Sequence, residues 1–172
     1  MNGIIKALEE RRSVRAYEDK PVPRELIEQV IEAGLWAPSG MGRQSPIIVA
    51  VTDRALRDRL SAANAAVMGG DGDPFYGAPV VLVVLAPRDV PTYVYDGALV
   101  MGNLMNAAHT LGLGSCWIHR AKEVFDAPEF KRLLADLGVE GDYEGIGNCI
   151  LGWPAQDPEP KPRREGRVFW AE

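Results

Sequence analysis

A chain of 172 residues, 47% hydrophobic and 25% charged, has the composition of one compact domain with a sizeable core. Its net charge of −5 and pI near 5.1 argue against a nucleic-acid protein, because such proteins ordinarily carry a basic patch that releases phosphate counterions. Its apolar runs fall well short of the roughly 20 residues that cross a bilayer, residues 1–10 lack the hydrophobic core of a signal peptide, and Cys116 and Cys149 have neither metal-ligand nor disulfide-scaffold spacing. The expectation is a cytoplasmic protein with no membrane span and no metal site.

In chain order, Ile4, Ile5 and Leu8 have helical spacing and predict a first helix with Arg11 and Arg12 in its last turn, where cations complement the helix dipole. The stretch RRSVRAY (residues 11–17) places three arginines in five positions of an acidic chain. It is either a solvated helix end or a receptacle for an anion. Pro23 in PVPRE opens a second helix carrying Leu26, Ile27, Val30, Ile31 and Leu35 on one face, and APSG stops it. PIIVAVTD (residues 46–53) reads as a buried strand and residues 54–67 as a helix. GGDGDPFYG (residues 69–77) reads as a mobile loop by composition. Its Phe75 and Tyr76 either line a pocket or simply pack.

The second half repeats the alternation. APVVLVVLA (residues 78–86) is a β-branched buried strand. Asp96 is the expected cap of an almost wholly apolar helix over residues 97–111, which Gly112 terminates in a left-handed conformation. LGSCWIH (residues 113–119) follows as a strand, then a helix carrying Phe130, Leu133, Leu134 and Leu137, then a strand over residues 144–154. The Pro-rich tail holds a second basic island, KPRREGR (residues 161–167). Its terminal aromatics predict that the tail is tied down, with Trp153, Phe169 and Trp170 as packing anchors. Alternation alone predicts a doubly wound α/β sheet. The chain has no GxGxxG after a strand, no GxxxxGK[ST], no HExxH and no GxSxG, so dinucleotide, P-loop, zincin and nucleophile-elbow chemistries lack support. His109 and His119 fall on different predicted elements.

Five segments remain. RRSVRAY, APSGMGRQSP (residues 37–46), AAHTLGLGSCWI (residues 107–118), ILGWP (residues 150–154) and KPRR (residues 161–164) resemble, in this order and nearly end to end, the nitroreductase family. The resemblance implies a single domain over residues 1–172 and an α+β fold, with a mixed β-sheet flanked by helices in place of the doubly wound one. It also implies an intertwined homodimer with shared flavin mononucleotide (FMN) sites. By resemblance, Arg11, Lys161 and Arg163 hold the phosphate, a role that suits fixed, often bidentate donors. Arg12 and Ser13 reach the phosphate, ribityl chain or ring edge. Arg15 sits beside the pyrimidine side of the isoalloxazine, where a cation favours the charge that accumulates on reduction. Pro38, Ser39 and Gly40 come from the partner subunit, and Gln44 pairs with the ring's polar edge, although Gly42 stands where many relatives have Asn. The backbone around Trp117, Ile118 and His119 hydrogen-bonds flavin N5.

The implied activity is hydride transfer from NADH or NADPH to FMN and then to a small-molecule acceptor such as a nitroaromatic or quinone, in ping-pong fashion. Direct transfer needs no protein acid or base, so no catalytic side chain is assigned. The alternatives are a flavin-binding sensor or storage protein without turnover, or a family variant acting as dehalogenase or dehydrogenase. Gly97, Ala98, Gly102, Ala107 and Ala108 on the central helix are either protomer core or close contacts across a dimer axis.

Overall fold

The computed structural model describes residues 2–172. Its helices are α1 (Gly3–Glu10), α2 (Arg24–Leu35), α3 (Arg54–Met68), α4 (Tyr93–Thr110), α5 (Ala121–Asp126) and α6 (Pro128–Asp136). Its strands are β1 (Ile47–Val51), β2 (Val80–Pro87), β3 (Gly114–Ile118) and β4 (Tyr143–Gly152). The sheet has the order β1-β2-β4-β3, and every strand pair is antiparallel.

The sheet corrects both the doubly wound expectation and the implied mixed sheet. The helix-strand alternation is real, but its connections do not make adjacent parallel pairs. After β1 the chain runs out along α3 and returns through residues 69–79, so β2 starts beside the end of β1, with Val51 opposite Val81. β2 and β3 do run parallel across the α4 connection, yet β4 lies between them and pairs antiparallel with both. Pairing with the last strand is a long-range event that local periodicity does not carry.

β2 explains the layers. Side chains alternate between the faces of a strand, and all of Val80 to Ala86 are buried. Val81, Val83 and Leu85 join Cys116, Ile118 and Ile150 under α3, α5 and α6, with Leu60, Phe125, Phe130 and Leu134. Val80, Leu82, Val84 and Ala86 join Cys149 and Leu151 under α2 and α4, with Val30, Met101 and Leu104. Close approach on this second side depends on Gly34, where a Cβ would stand 2.5 Å from a Leu104 methyl. The cysteines face opposite sides of the sheet, and burial pushes the Cys149 thiol up to about 12. Both behave as small core groups.

Three local expectations change. α1 ends at Glu10, so Arg11 and Arg12 lie beyond its last turn, and Arg12 caps it from outside by donating Nη1 to the carbonyls of Glu9 (2.6 Å) and Arg11 (2.8 Å). The tail beyond Pro154 forms no helix or strand, and Phe169 and Trp170 are exposed, because α2 to α6 already cover both faces of the sheet. Trp153 does pack, with its Nε1 donating to the Pro21 carbonyl (3.1 Å) and Lys20 over its ring. The loop expected to be mobile is stapled. Asp73 accepts from Arg57 Nη2 (2.6 Å), the Ser61 hydroxyl (2.5 Å), and the N–H groups of Phe75 (3.0 Å) and Gly77 (2.7 Å). Phe75 is fully buried in the core rather than lining a pocket, while Tyr76 stays partly exposed.

Burial acts to raise the Asp73 carboxyl, but the Arg57 guanidinium, the Ser61 hydroxyl and the two amides outweigh it and hold it down at about 2. A depressed carboxylate stabilises the fold in full above the ordinary Asp value of about 4 and loses that contribution as the pH falls toward the folded value. Asp73→Asn should therefore destabilise the protein by about 1 kcal/mol at neutral pH, after allowance for its partial exposure. The gap from wild type in urea denaturation should narrow as the pH drops from about 4 to 2. A gap independent of pH would show that the carboxylate charge is not what holds the loop.

Candidate functional site

The first basic island lies along the free side of β3. The chain leaves α1 extended, Ser13 bridges Ser115, and the Val14 N–H donates to the Ser115 carbonyl (3.0 Å). Val14 is buried against Gly114, where a Cβ would stand 2.9 Å from its side chain, so its neighbours Ser13 and Arg15 point the other way. The tail then runs past the same place. Residues 158–163 and Arg11, Arg12, Ser13 and Arg15 line one cleft of about 960 Å³. Five cations, Arg11, Arg12, Arg15, Lys161 and Arg163, face it against two carboxylates, Glu9 and Glu159. The islands converge as an anion receptacle requires.

Within this cleft the arginines differ. Arg12 is engaged with the end of α1, and Arg163 turns back on the carbonyl of Lys161 (2.8 Å). Arg15 is exposed. Arg11 Nη1 is buried and has no hydrogen-bond partner. A buried cationic donor left unpaired carries a desolvation penalty of about 1–3 kcal/mol or more, so the position calls for an acceptor from outside the chain.

A separate cavity follows α2. Pro38, Ser39, Gln44 and Asp96 line a cavity of about 140 Å³ that shares no residue with the cleft. The Ser39 hydroxyl accepts from the Gln44 N–H (2.8 Å), and Met41, Gly42 and Gln44 all have positive φ. The buried anchor is Asp96, which accepts from the Gly40 N–H (2.9 Å) and the Thr92 hydroxyl (2.8 Å). α4 begins at Tyr93, so Asp96 lies in its first turn and does not cap it. The missed signal is a carboxylate whose helical neighbours Gly97, Val100 and Met101 are all buried: there it must have partners.

The third component is the end of β3. Because the Ser115 carbonyl faces outward, alternation directs the backbone groups of Trp117 to the same open edge. The inward groups are pinned: Asn148 Nδ2 donates to the Ile118 carbonyl (3.3 Å) and Asn64 Nδ2 to the His119 carbonyl (2.8 Å). The Trp117 ring lies over Gly147, which has no room for a Cβ, and the His119 side chain is exposed. One chain thus joins Arg11, Arg12, Ser13, Arg15, Lys161 and Arg163 at a cleft beside the β3 edge, and keeps Pro38, Ser39, Gly40 and Gln44 apart from it.

The sequence model of the nitroreductase family matches residues 8–70 and 66–153. The chain belongs to the nitroreductase family. A Bacteroides fragilis nitroreductase, whose crystal structure holds bound FMN, superposes with a TM-score of 0.90 at 27% identity over 100% of both chains. The oxygen-insensitive NADPH nitroreductase of Salmonella typhimurium is 30% identical over 95% of this chain and 70% of its own. The FMN reductase [NAD(P)H] of Bacillus subtilis is 26% identical over 95% and 70% respectively. The nitroreductase assignment and the antiparallel α+β framework agree, and among the described residues no helix is long and apolar enough to cross a membrane.

Asp96→Ala leaves the Gly40 N–H and the Thr92 hydroxyl without their acceptor. The expected loss is about 1–3 kcal/mol in stability, with faster amide exchange at Gly40 by NMR and no change at Val14. Unaltered exchange at Gly40 would mean that the loop stands without its carboxylate anchor.

Proposed function

We propose that the protein is an FMN-dependent oxidoreductase that takes hydride from NADH or NADPH and passes it to a small acceptor such as a nitroaromatic or a quinone. The observation that carries this reading is the buried, unpartnered Arg11 guanidinium nitrogen in a cleft of five cations beside an open strand edge. A phosphate monoester supplies the missing acceptor and close to two negative charges. The relatives support the choice, since the Bacteroides fragilis nitroreductase holds FMN and the Bacillus subtilis protein is an NAD(P)H-linked FMN reductase.

When bound, FMN supplies the hydride-accepting ring, and the chain's own residues bind and orient it. Arg11, Lys161 and Arg163 hold the phosphate. Arg12 caps α1 and, with Ser13, reaches the ribityl chain or ring edge. Arg15 lies along the pyrimidine side. The β3 edge at Trp117, Ile118 and His119 offers backbone donors to the N5 side. Pro38, Ser39, Gly40 and Gln44 complete the site from a second subunit, which accounts for their separation from the cleft within one chain. A homodimer also covers apolar surface that one chain leaves open. No residue of α1 is buried, and Ile4, Trp36, Met41, Phe169 and Trp170 are each at least 73% exposed. With direct hydride transfer, no side chain would need to move a proton to the reacting carbon or nitrogen.

Purified protein should be yellow, release FMN on denaturation, bleach with NADH or NADPH and regain colour with a nitroaromatic or quinone. A colourless preparation that gives no calorimetric heat with FMN would sink the reading, and reduction without reoxidation by any acceptor would point to a store or sensor. Arg11→Ala removes a charge-assisted contact of about 1.5–3 kcal/mol, so the FMN dissociation constant should rise roughly 10- to 150-fold. An unchanged constant would return Arg11 to a structural role.

Arg15 acts on the reduced state. Reduction places negative charge near the pyrimidine edge, and a guanidinium there is worth about 1–2 kcal/mol more to the reduced than to the oxidised ring after screening. In FMN-saturated protein, Arg15→Gln should lower the midpoint potential by roughly 20–40 mV, as read by spectroelectrochemical titration. A potential that stays put or rises would place Arg15 away from the ring.

A further inference from the structure

We propose that Asn64 of α3 is a positioning residue, which holds the peptide between His119 and Arg120 so that the Arg120 N–H is presented to the N5 side of the flavin. This rests on the FMN reading above and adds to it the donor and the group that aims it.

Asn64 is fully buried. A buried carboxamide needs partners for its oxygen and its nitrogen, and both ends of this one are used on a single short segment. Nδ2 donates to the His119 carbonyl (2.8 Å), and Oδ1 accepts from Arg120 Nε (3.1 Å). The two partners fix which end is which, since a carbonyl requires a donor and a guanidinium requires an acceptor. Arg120 has φ 72, a left-handed conformation uncommon for a residue with a Cβ. The clamp at Asn64 and the Val124 N–H, which donates to the Arg120 carbonyl (3.2 Å), hold it there.

The direction of the N–H follows from peptide geometry. The His119 carbonyl and the Arg120 N–H belong to one planar trans unit and point in opposite directions. With the carbonyl aimed at α3, the N–H is aimed away from it, and among the described residues it has no acceptor. Accepting a bond at the carbonyl also polarises the unit and strengthens its N–H as a donor. Arg120 lies two residues beyond the end of β3, whose outward backbone groups include those of Trp117. Asn64 therefore sets both the aim and the strength of a donor to the reacting part of the ring, without touching the ring itself.

The test uses wild-type protein and Asn64→Asp, both saturated with FMN carrying nitrogen-15 at N5. The substitution keeps the size and an oxygen for Arg120, and removes the donor to the His119 carbonyl. The N5 resonance should move toward that of free FMN. The limiting rate of flavin reduction at saturating NADH or NADPH should fall at least about fivefold. The FMN dissociation constant should change less than about twofold, because the phosphate contacts that carry binding are untouched. A residue that only stabilised the fold would leave the N5 resonance of the folded, saturated protein where it was, and that outcome overturns the proposal. Should Asn64→Asp fail to fold, the wild type decides: a scalar coupling across the bond from the Arg120 nitrogen to N5 supports the assignment, and its absence in fully nitrogen-15-labelled holoprotein overturns it. Failure of the wild type to bind FMN overturns the underlying reading as well, whereas tight binding without this coupling overturns only the role of the 119–120 peptide.

Discussion

Everything in this fold is arranged around strands β2 and β4, which are apolar on both faces and cannot be left against water on either. Leu82, Leu85, Ile150 and Leu151 are all fully buried, and each such side chain contributes about 1.5–3 kcal/mol when removed from solvent. Covering one face uses α2 and α4, and covering the other uses α3, α5 and α6. The free edge of β3 and the loops at the helix ends are what remains for chemistry. The candidate site lies there for that reason. Its arginines run along the β3 edge, and its small-residue loop leaves the end of α2.

The buried polar groups follow from the same constraint. A polar side chain inside an apolar layer persists only with its hydrogen bonds made, and here each one ties a loop to the framework. Asp96 takes the Gly40 amide, Arg57 takes the Ala78 carbonyl and Asp73, and Asn64 and Asn148 take the carbonyls that end β3. These bonds join residues 16 to 56 positions apart in sequence. Among the described residues Arg11 Nη1, Ser45 Oγ and Arg88 Nε are buried without a partner. Of these, Arg11 lines the cleft where the cations gather, and an acceptor from outside the chain would satisfy it there.

Local pattern carried the elements well. The spacing of Leu26, Ile27, Val30 and Ile31 and the β-branched run of β2 predict elements that form within a few residues of the expected bounds, and Gly112 does end α4 with φ 75. Sheet direction was not legible, because it depends on β4 entering between β2 and β3 from the far end of the chain. Nor was the break between α5 and α6, although Pro128 in the first turn of α6 was the available signal. The loop over residues 69–77 misled because glycine content reports backbone freedom and says nothing of Asp73, whose partners Arg57 and Ser61 lie on another element. At the site, the gathering of the two basic islands was legible from composition and family resemblance. Asp96 and Asn64 were not, since each acts through a contact more than 50 residues away.

On the proposed reading, the cofactor phosphate explains why so much positive charge gathers in an acidic chain. The tail that brings Lys161 and Arg163 into the cleft forms no helix or strand and contributes no residue to either core cluster. Like-charged groups brought together by such a segment repel one another, and fixing each tail residue in place costs about 1–2 kcal/mol of backbone entropy. A dianionic phosphate offsets both, because it pairs with several cations at once and converts their repulsion into attraction. On the proposed reading, cofactor and second subunit are linked through the same surfaces. The phosphate fixes the tail beside Arg11, and the loop at Pro38, held to α4 by Asp96, closes the ring side from the other copy. Whatever binds the folded pair and not the open chain adds its binding free energy to assembly, so a chain with exposed aromatics at its end and an unpaired arginine at its start gains most when both needs are met together.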